Sequence, residues 1–300
     1  MASLQSRLAW FFLQRTLSRK MAGFSRKEMR RFLDDVGRKS KLPKQIKTEK
    51  INVGGMPAES LCTPDARDGQ TILYLHGGGY SVGSCDSYRQ LVSYIALAAK
   101  MRLILIEYRL APEFPFPAAL DDAITAYQWL LDSGALPKNI ALAGDSAGGG
   151  LALATAVSLR DKKIALPRAI VCLSPWTDLG HTGESSITGS SRELILIPKM
   201  LKAYAADYVG NNSLEDPRIS PLYADLSGLP PLLIQVGSRE ILLSDSTNLA
   251  ERARNAGVDV TLEVWDSMWH VWQAFIDYIP ESKQAINGIG EFLRKHLKEI

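Results

Sequence analysis

Cysteine is scarce in this chain of 300 residues: Cys62, Cys85 and Cys172 are the whole set. They lack metal-ligand spacing, and so odd and sparse a set demands no disulfide and suggests a reducing, cytoplasmic compartment. An excess of one charge is lacking too. With 35 basic against 32 acidic residues the net charge is +3 and spread along the chain, so nothing supports nucleic acid or another polyanion as partner. Internal repeats and low-complexity tracts are missing. The N-terminal stretch MASLQSRLAWFFLQRTLSRK has only the short apolar run Leu8 to Leu13, basic residues on both sides and no small-residue cleavage site. It reads as neither a secretion signal nor a membrane span. Leu4, Leu8 and Phe11 or Phe12, with Arg15 opposite, predict an amphipathic helix that packs its apolar face on its own protein. An interfacial membrane anchor is the alternative, and stable membrane insertion is not expected.

What is present is an alternation of strands and helices. Ser25 and Glu28 form a Ser-x-x-Glu capping box that opens a second helix, for which Gly37 is a natural stop. Strand-like patterning starts at Ile46 and runs to Leu61 with Gly54-Gly55 as a turn. Compact apolar strands follow at Thr71–Leu75, Leu103–Ile106, Ile140–Ala143, Ala169–Leu173, Leu232–Val236 and Val260–Val264. Between them, helical stretches are predicted over Ser87–Lys100, Pro117–Leu131, the serine turn to Leu159, and Asp245–Ala256, with a closing helix over Ile286–Leu297. Such a rhythm implies a largely parallel sheet with helices on both faces and functional groups at the strands' carboxyl ends. It fails after Asp178, where a Gly/Ser-rich loop around 182–191 and a helix over Pro198–Tyr208 read as an insertion able to act as a lid.

Gly144-Asp145-Ser146-Ala147-Gly148 links a strand to a helix through a Gly-x-Ser-x-Gly turn. On such a turn the serine is strained and exposed, while its flanking positions must lack side chains. By itself the motif also fits an incidental serine or a phosphate-binding helix start, although the Lys-Ser/Thr pair of a nucleotide loop is absent. A serine nucleophile needs a base, and the base needs an orienting acid. There are four histidines. His76 belongs to a glycine turn, His181 to the insertion and His296 to the polar last helix. His270 falls in the loop beyond the last strand, with Trp269 and Trp272 as a prospective apolar wall. In the loop after Leu232–Val236, Glu240 lies nearer the strand end, whereas Asp245 is better placed to cap the next helix. Glu240 is therefore favoured, with Asp245 the alternative. The order Ser146, Glu240, His270 is that of α/β-hydrolases. Three glycines in His76-Gly77-Gly78-Gly79-Tyr80 offer bare backbone N–H groups suited to a developing negative charge.

HGGGY at 76–80, YRLAPEFPFPAALDD at 108–122, GDSAGG at 144–149 and SPWTDL at 174–179 together resemble the hormone-sensitive-lipase family of bacterial esterases. The likeness runs from about residue 50 to the C-terminus. It implies a single α/β-hydrolase domain over 1–300, a mostly parallel sheet flanked by helices, with core segments 46–180 and 221–300 and a helical cap from 1–45 and 181–220. It also implies an oxyanion hole from the N–H groups of Gly77, Gly78 and Ala147, and carboxylesterase action on short- to medium-chain esters. The expected partner is a small-molecule ester, with no metal and no organic cofactor; the resemblance also implies homodimers. An amidase or deacetylase with the same triad, and a non-catalytic receptor of the same fold, are the alternatives. Departures from the family pattern are Glu240-Ile241-Leu242 in place of an Asp-Pro-Leu stretch, Val271 where glycine often follows the histidine, and Phe114 in place of a histidine. Tyr204 and Tyr208, four apart, are expected to pack among apolar neighbours rather than face the pocket.

Overall fold

The sheet opens on a hairpin. In the computed structural model, which describes residues 2–21, 23–188 and 193–297, β1 (Lys47–Val53) folds back at Gly54-Gly55 into β2 (Met56–Cys62). Both turn glycines have positive φ, 58° and 93°, a region that side chains disfavour. β3 (Thr71–Leu75), β4 (Arg102–Ile106), β5 (Ile140–Asp145), β6 (Ala169–Leu173), β7 (Leu232–Gly237) and β8 (Val260–Trp265) then alternate with helices. The described residues form one eight-stranded sheet in the order β1-β2-β4-β3-β5-β6-β7-β8. It is parallel from β4 onward, and β2 runs antiparallel to both its neighbours.

The middle strands β3, β5, β6 and β7 are buried along their whole length, as strands covered on both faces must be. Their side chains alternate between two cores. Leu73, Leu142, Ile170 and Ile234 pack with α4 (Ala118–Asp132), α5 (Ala147–Asp161) and α8 (Leu243–Asn255). Ile72, Ala141, Val171 and Leu233 pack on the other face with α3 (Cys85–Ala99) and α9 (Pro280–His296). Each fully buried Leu or Ile contributes about 2 kcal/mol relative to exposure, so the alternation fixes the register. α9 starts earlier than its apolar pattern suggests because Pro280 supplies a helix-ready first residue.

Ahead of the sheet lie α1 (Leu4–Met21) and α2 (Arg26–Lys39). The capping box of α2 is formed: Glu28 N–H donates to Ser25 Oγ at 3.3 Å, and Ser25 N–H donates to Glu28 Oε2 at 2.8 Å. Gly37 does not end this helix, which continues to Lys39. Its lack of a side chain serves a close contact instead, since a Cβ there would lie 2.1 Å from the carbonyl oxygen of Asp86. α1 corrects a second expectation. Leu4, Leu8, Phe11 and Phe12 are 70%, 63%, 49% and 66% exposed and do not form its packing face. Ala9, Trp10 and Leu13 do, against Met268, Trp269, Trp272 and Ala285. The roll of the helix is set by Ser3, whose N–H and Oγ donate to Glu281 of α9 at 2.6 and 3.0 Å.

In the insertion, α6 (Glu184–Thr188) occupies part of the expected Gly/Ser-rich loop, whose positions from 189 on lie outside the described residues, and α7 (Pro198–Val209) follows. No helix among the described residues is long and apolar enough to cross a membrane.

Candidate active site

β5 runs directly into Ser146, whose backbone angles, φ 52° and ψ −123°, lie in a sparsely populated region costing about 1–3 kcal/mol. Two strong backbone bonds hold it there. Ser146 N–H donates to Leu173 O of β6 at 2.8 Å, and its carbonyl accepts from Trp176 N–H at 2.9 Å. The flanking glycines are obligatory: a Cβ on Gly144 would stand 2.3 Å from Gly148 O, and one on Gly148 would stand 2.0 Å from Leu75 O. The serine thus sits at the sheet's carboxyl edge and at the start of α5, facing a cavity of about 990 Å³.

His270, in the loop after β8, lines the same cavity. Its Nδ1 is 2.9 Å from Glu240 Oε2, which leaves Nε2 as the free ring nitrogen. The other oxygen of Glu240 accepts from Gly237 N–H at 2.6 Å and from Ser174 Oγ at 2.7 Å. Burial works against a charged imidazole, but the hydrogen bond and charge of Glu240, supported by Glu193 and Asp145, outweigh it and hold His270 above the ordinary histidine value. Asp245 serves elsewhere. Its Oδ2 accepts from Thr177 N–H and Asp178 N–H, both at 2.8 Å, and burial pushes its carboxyl up to about 7. Of the two candidate acids, Glu240 is on the imidazole and Asp245 braces the loop after β6.

Ser174 was not singled out from the sequence, although it lies in the quoted SPWTDL stretch. Besides binding Glu240, its Oγ accepts from Val271 N–H at 3.2 Å, joining the acid's loop to the histidine's. Only the strand order, which puts β6 beside β7, brings it there. Val271 itself has φ 49°, a left-handed conformation that a β-branched residue rarely adopts and that suits glycine. Trp269 and Trp272, the apolar wall expected for His270, are not among the residues that line the cavity. They are buried with Met268 and Ala285, and the cavity is lined near His270 by Val271, Ala274 and Phe275.

The remaining histidines do not line the cavity. His76 is buried, stacks on Tyr108 at 4.2 Å, and is held neutral by burial, which lowers it to about 4. His181 stacks on Trp176 at 5.3 Å, and His296 lies beside Phe292 at 4.5 Å. In the glycine turn, Gly77 is not a free donor. Its N–H is given to Asp145 Oδ1 at 3.0 Å, an oxygen that also accepts from Tyr74, while Tyr88 donates to Oδ2 at 2.9 Å. Burial nevertheless raises the Asp145 carboxyl to about 6. Gly78 and Gly79, with φ of 110° and 59°, line the cavity beside Ser146, and their N–H groups have no acceptor among the described residues. The expectation of Gly77 as an oxyanion donor is corrected on this ground, because a single N–H committed to a carboxylate cannot also serve a substrate.

Met29, Phe32, Leu33 and Val36 of α2 and Met200, Leu201 and Tyr204 of α7 supply much of the cavity's apolar wall. The two tyrosines of α7 divide their tasks. Tyr204 faces the cavity, with the Arg26 guanidinium 4.0 Å from its ring centre. Tyr208 stacks on Tyr80 with ring centres 3.7 Å apart, the packing role expected of both. Arg26 of α2 also pairs with Asp207 of α7 at 2.7 Å.

Known proteins resemble this chain over most of its length. The α/β-hydrolase fold family matches residues 72–274. An acetyl-hydrolase from Streptomyces hygroscopicus is 46% identical over 244 residues, 81% of either chain. An esterase from Acinetobacter venetianus is 38% identical over 248 residues, 82% of either chain. A crystal structure of an esterase from the bacterial hormone-sensitive lipase family superimposes with a TM-score of 0.94 at 47% identity, covering 99% of this chain and 100% of that one. Sheet order, strained serine and relatives converge: the chain belongs to the bacterial hormone-sensitive-lipase family of the α/β-hydrolase fold and is a carboxylic ester hydrolase.

Proposed function

We propose that this chain hydrolyses short- to medium-chain carboxylic esters through an acyl-enzyme on Ser146, beneath a cap formed by residues 1–45 and 181–220 over a core of 46–180 and 221–300. The observation that carries the reading is the 2.9 Å contact of Glu240 with His270 Nδ1 beside the cavity that Ser146 also lines. With Nδ1 engaged, Nε2 takes the Ser146 proton as Oγ attacks the ester carbonyl carbon, and the carbonyl electron pair moves to oxygen. The oxyanion is received by the N–H groups of Gly78, Gly79 and Ala147, the last at the start of α5 where the helix dipole favours negative charge. On collapse, the ester carbon–oxygen bond breaks and His270 protonates the departing alkoxide. Water then gives a proton to His270, attacks the acyl-enzyme and releases the acid, regenerating Ser146. Glu240 stabilises the imidazolium at both stages.

The likeness to an acetyl-hydrolase supports a small acyl group. The apolar lining from α2 and α7 supports chains of moderate length. Ser146→Ala is expected to lower kcat/KM on p-nitrophenyl acetate and butyrate by ~10⁴-fold or more and to abolish fluorophosphonate labelling, with an unchanged melting temperature. Esterase activity at the parent level in that variant would sink the mechanism.

A further inference from the structure

Glu193 is a partly buried carboxylate for which the reaction above has no task. It stands on the insertion, shortly before α7. Oε1 accepts from Leu194 N–H at 2.8 Å, Ile195 N–H at 2.9 Å and Leu196 N–H at 3.4 Å, while Oε2 accepts from Ile241 N–H at 3.3 Å. The two oxygens serve different parts of the molecule. Ile195 and Leu196 line the cavity, and Leu194 is buried with Met268 and Trp269 on the approach to His270. Ile241 directly follows Glu240. A turn that needed only a cap would use one oxygen. The second bond reaches 48 residues along the chain, and a carboxylate is the side chain that offers two acceptor atoms at once.

Resting on the Ser146-His270-Glu240 reading, we infer that Glu193 is a positioning residue that fastens the cavity wall at Leu194–Leu196 to the loop carrying Glu240, so that wall and acid move as one piece. Burial raises its own carboxyl, and its charged form is, after Glu240, among the groups that hold His270 above the ordinary histidine value. The side chain touches no reacting atom. Its effect passes through the seating of Glu240 and the field at the imidazole.

Two variants of the full chain separate tether from charge. Glu193→Gln removes the charge and leaves one acceptor oxygen for two clients. Glu193→Asp keeps the charge but is shorter by one carbon–carbon bond, ~1.5 Å, and cannot span both. Both are expected to lower kcat/KM on p-nitrophenyl butyrate about ten-fold, as loss of a hydrogen bond to a charged group does. The acid limb of the pH profile is expected to move to lower pH in the Gln variant and to stay in place in the Asp variant. An unchanged profile and rate in both, or a loss equal at every pH that tracks a lowered melting temperature, overturns the inference. Should the Gln variant fail to fold, the Asp variant carries the test: parental kcat/KM there overturns it. With Ser146→Ala inactive, such a result removes only the role of Glu193; with Ser146→Ala active, the triad itself falls.

Discussion

The turn at Gly144–Gly148 and the loop at Gly237–Asp245 hold the proposed nucleophile and acid in different ways. Backbone holds the first. Strand and helix approach until no Cβ fits at Gly144 or Gly148, and Ser146 is bound through its own N–H and C=O to the segment around β6. In the second the backbone sets only the frame, through Ser238 N–H to Trp265 O and Arg239 N–H to Met268 O, with no room for a Cβ at Gly237. The acid itself is seated mainly by side chains: Glu240 by Ser174, by His270 and by one N–H of Gly237, and its neighbour Ile241 by Glu193. A site built from backbone dictates residue types, whereas one built from side-chain bonds dictates only that partners exist.

The sharpest way to break the first arrangement is Gly148→Val. Its Cβ would fall 2.0 Å from Leu75 O, and a displaced strand end is the only relief. A loss of about 4 kcal/mol or more is expected, read as a collapse of soluble yield and melting temperature. In the second arrangement the chemistry fails before the fold does. Glu240→Gln is expected to cost ~10³- to 10⁴-fold in kcat/KM with little change in melting temperature. Its pH dependence has a definite sign. His270 must be neutral to act as base, and Glu240 holds it above the ordinary value, so the parent's acid limb lies high and the variant's moves down.

Ser174→Ala, a smaller perturbation, strips one donor from Glu240 and one acceptor from Val271 N–H. About ten-fold in kcat/KM is expected to go, measured beside an unfolding curve shifted by about 1–2 kcal/mol. Least affected should be Asp245→Asn. Turnover is expected near the parent's, because Asp245 braces Thr177 and Asp178 and does not touch His270. Stability is where it shows. Burial raises this carboxyl from 3.8 to about 7, so the folded state binds the proton more tightly and the parent loses stability as pH rises through that window. Melting temperatures from pH 4 to 7 should fall less steeply in the Asn variant.

The same contrast explains what could be read from the residues alone. The strained turn at Ser146 and the parallel sheet were legible because glycine spacing and strand periodicity are imposed by close approach and double-sided burial. The placement of His270 beside the same cavity was legible from its position after β8. Gly77 misled because three consecutive glycines look alike, and nothing in the sequence reveals that the Asp145 carboxylate turns back to take the first N–H. α1 misled for a related reason: it carries apolar residues on two sides, and the choice between them is made by Glu281, at the far end of the chain. Ser174 and Glu193 were invisible because hydroxyls and carboxylates are common in loops, and only their long-range partners distinguish these two.

The elements that bind Ser146 and those that shape the space above it are separate parts of the chain. No reacting atom of the proposed mechanism comes from α2 or α7, yet Phe32, Val36 and Met200 shape the space above Ser146. Variation confined to those three positions is expected to shift the range of accepted esters while the eight strands and the bonds that hold Ser146 stay as they are. A combinatorial library there is expected to hold more folded members than one of equal size around the serine turn, where Gly144 and Gly148 admit no Cβ.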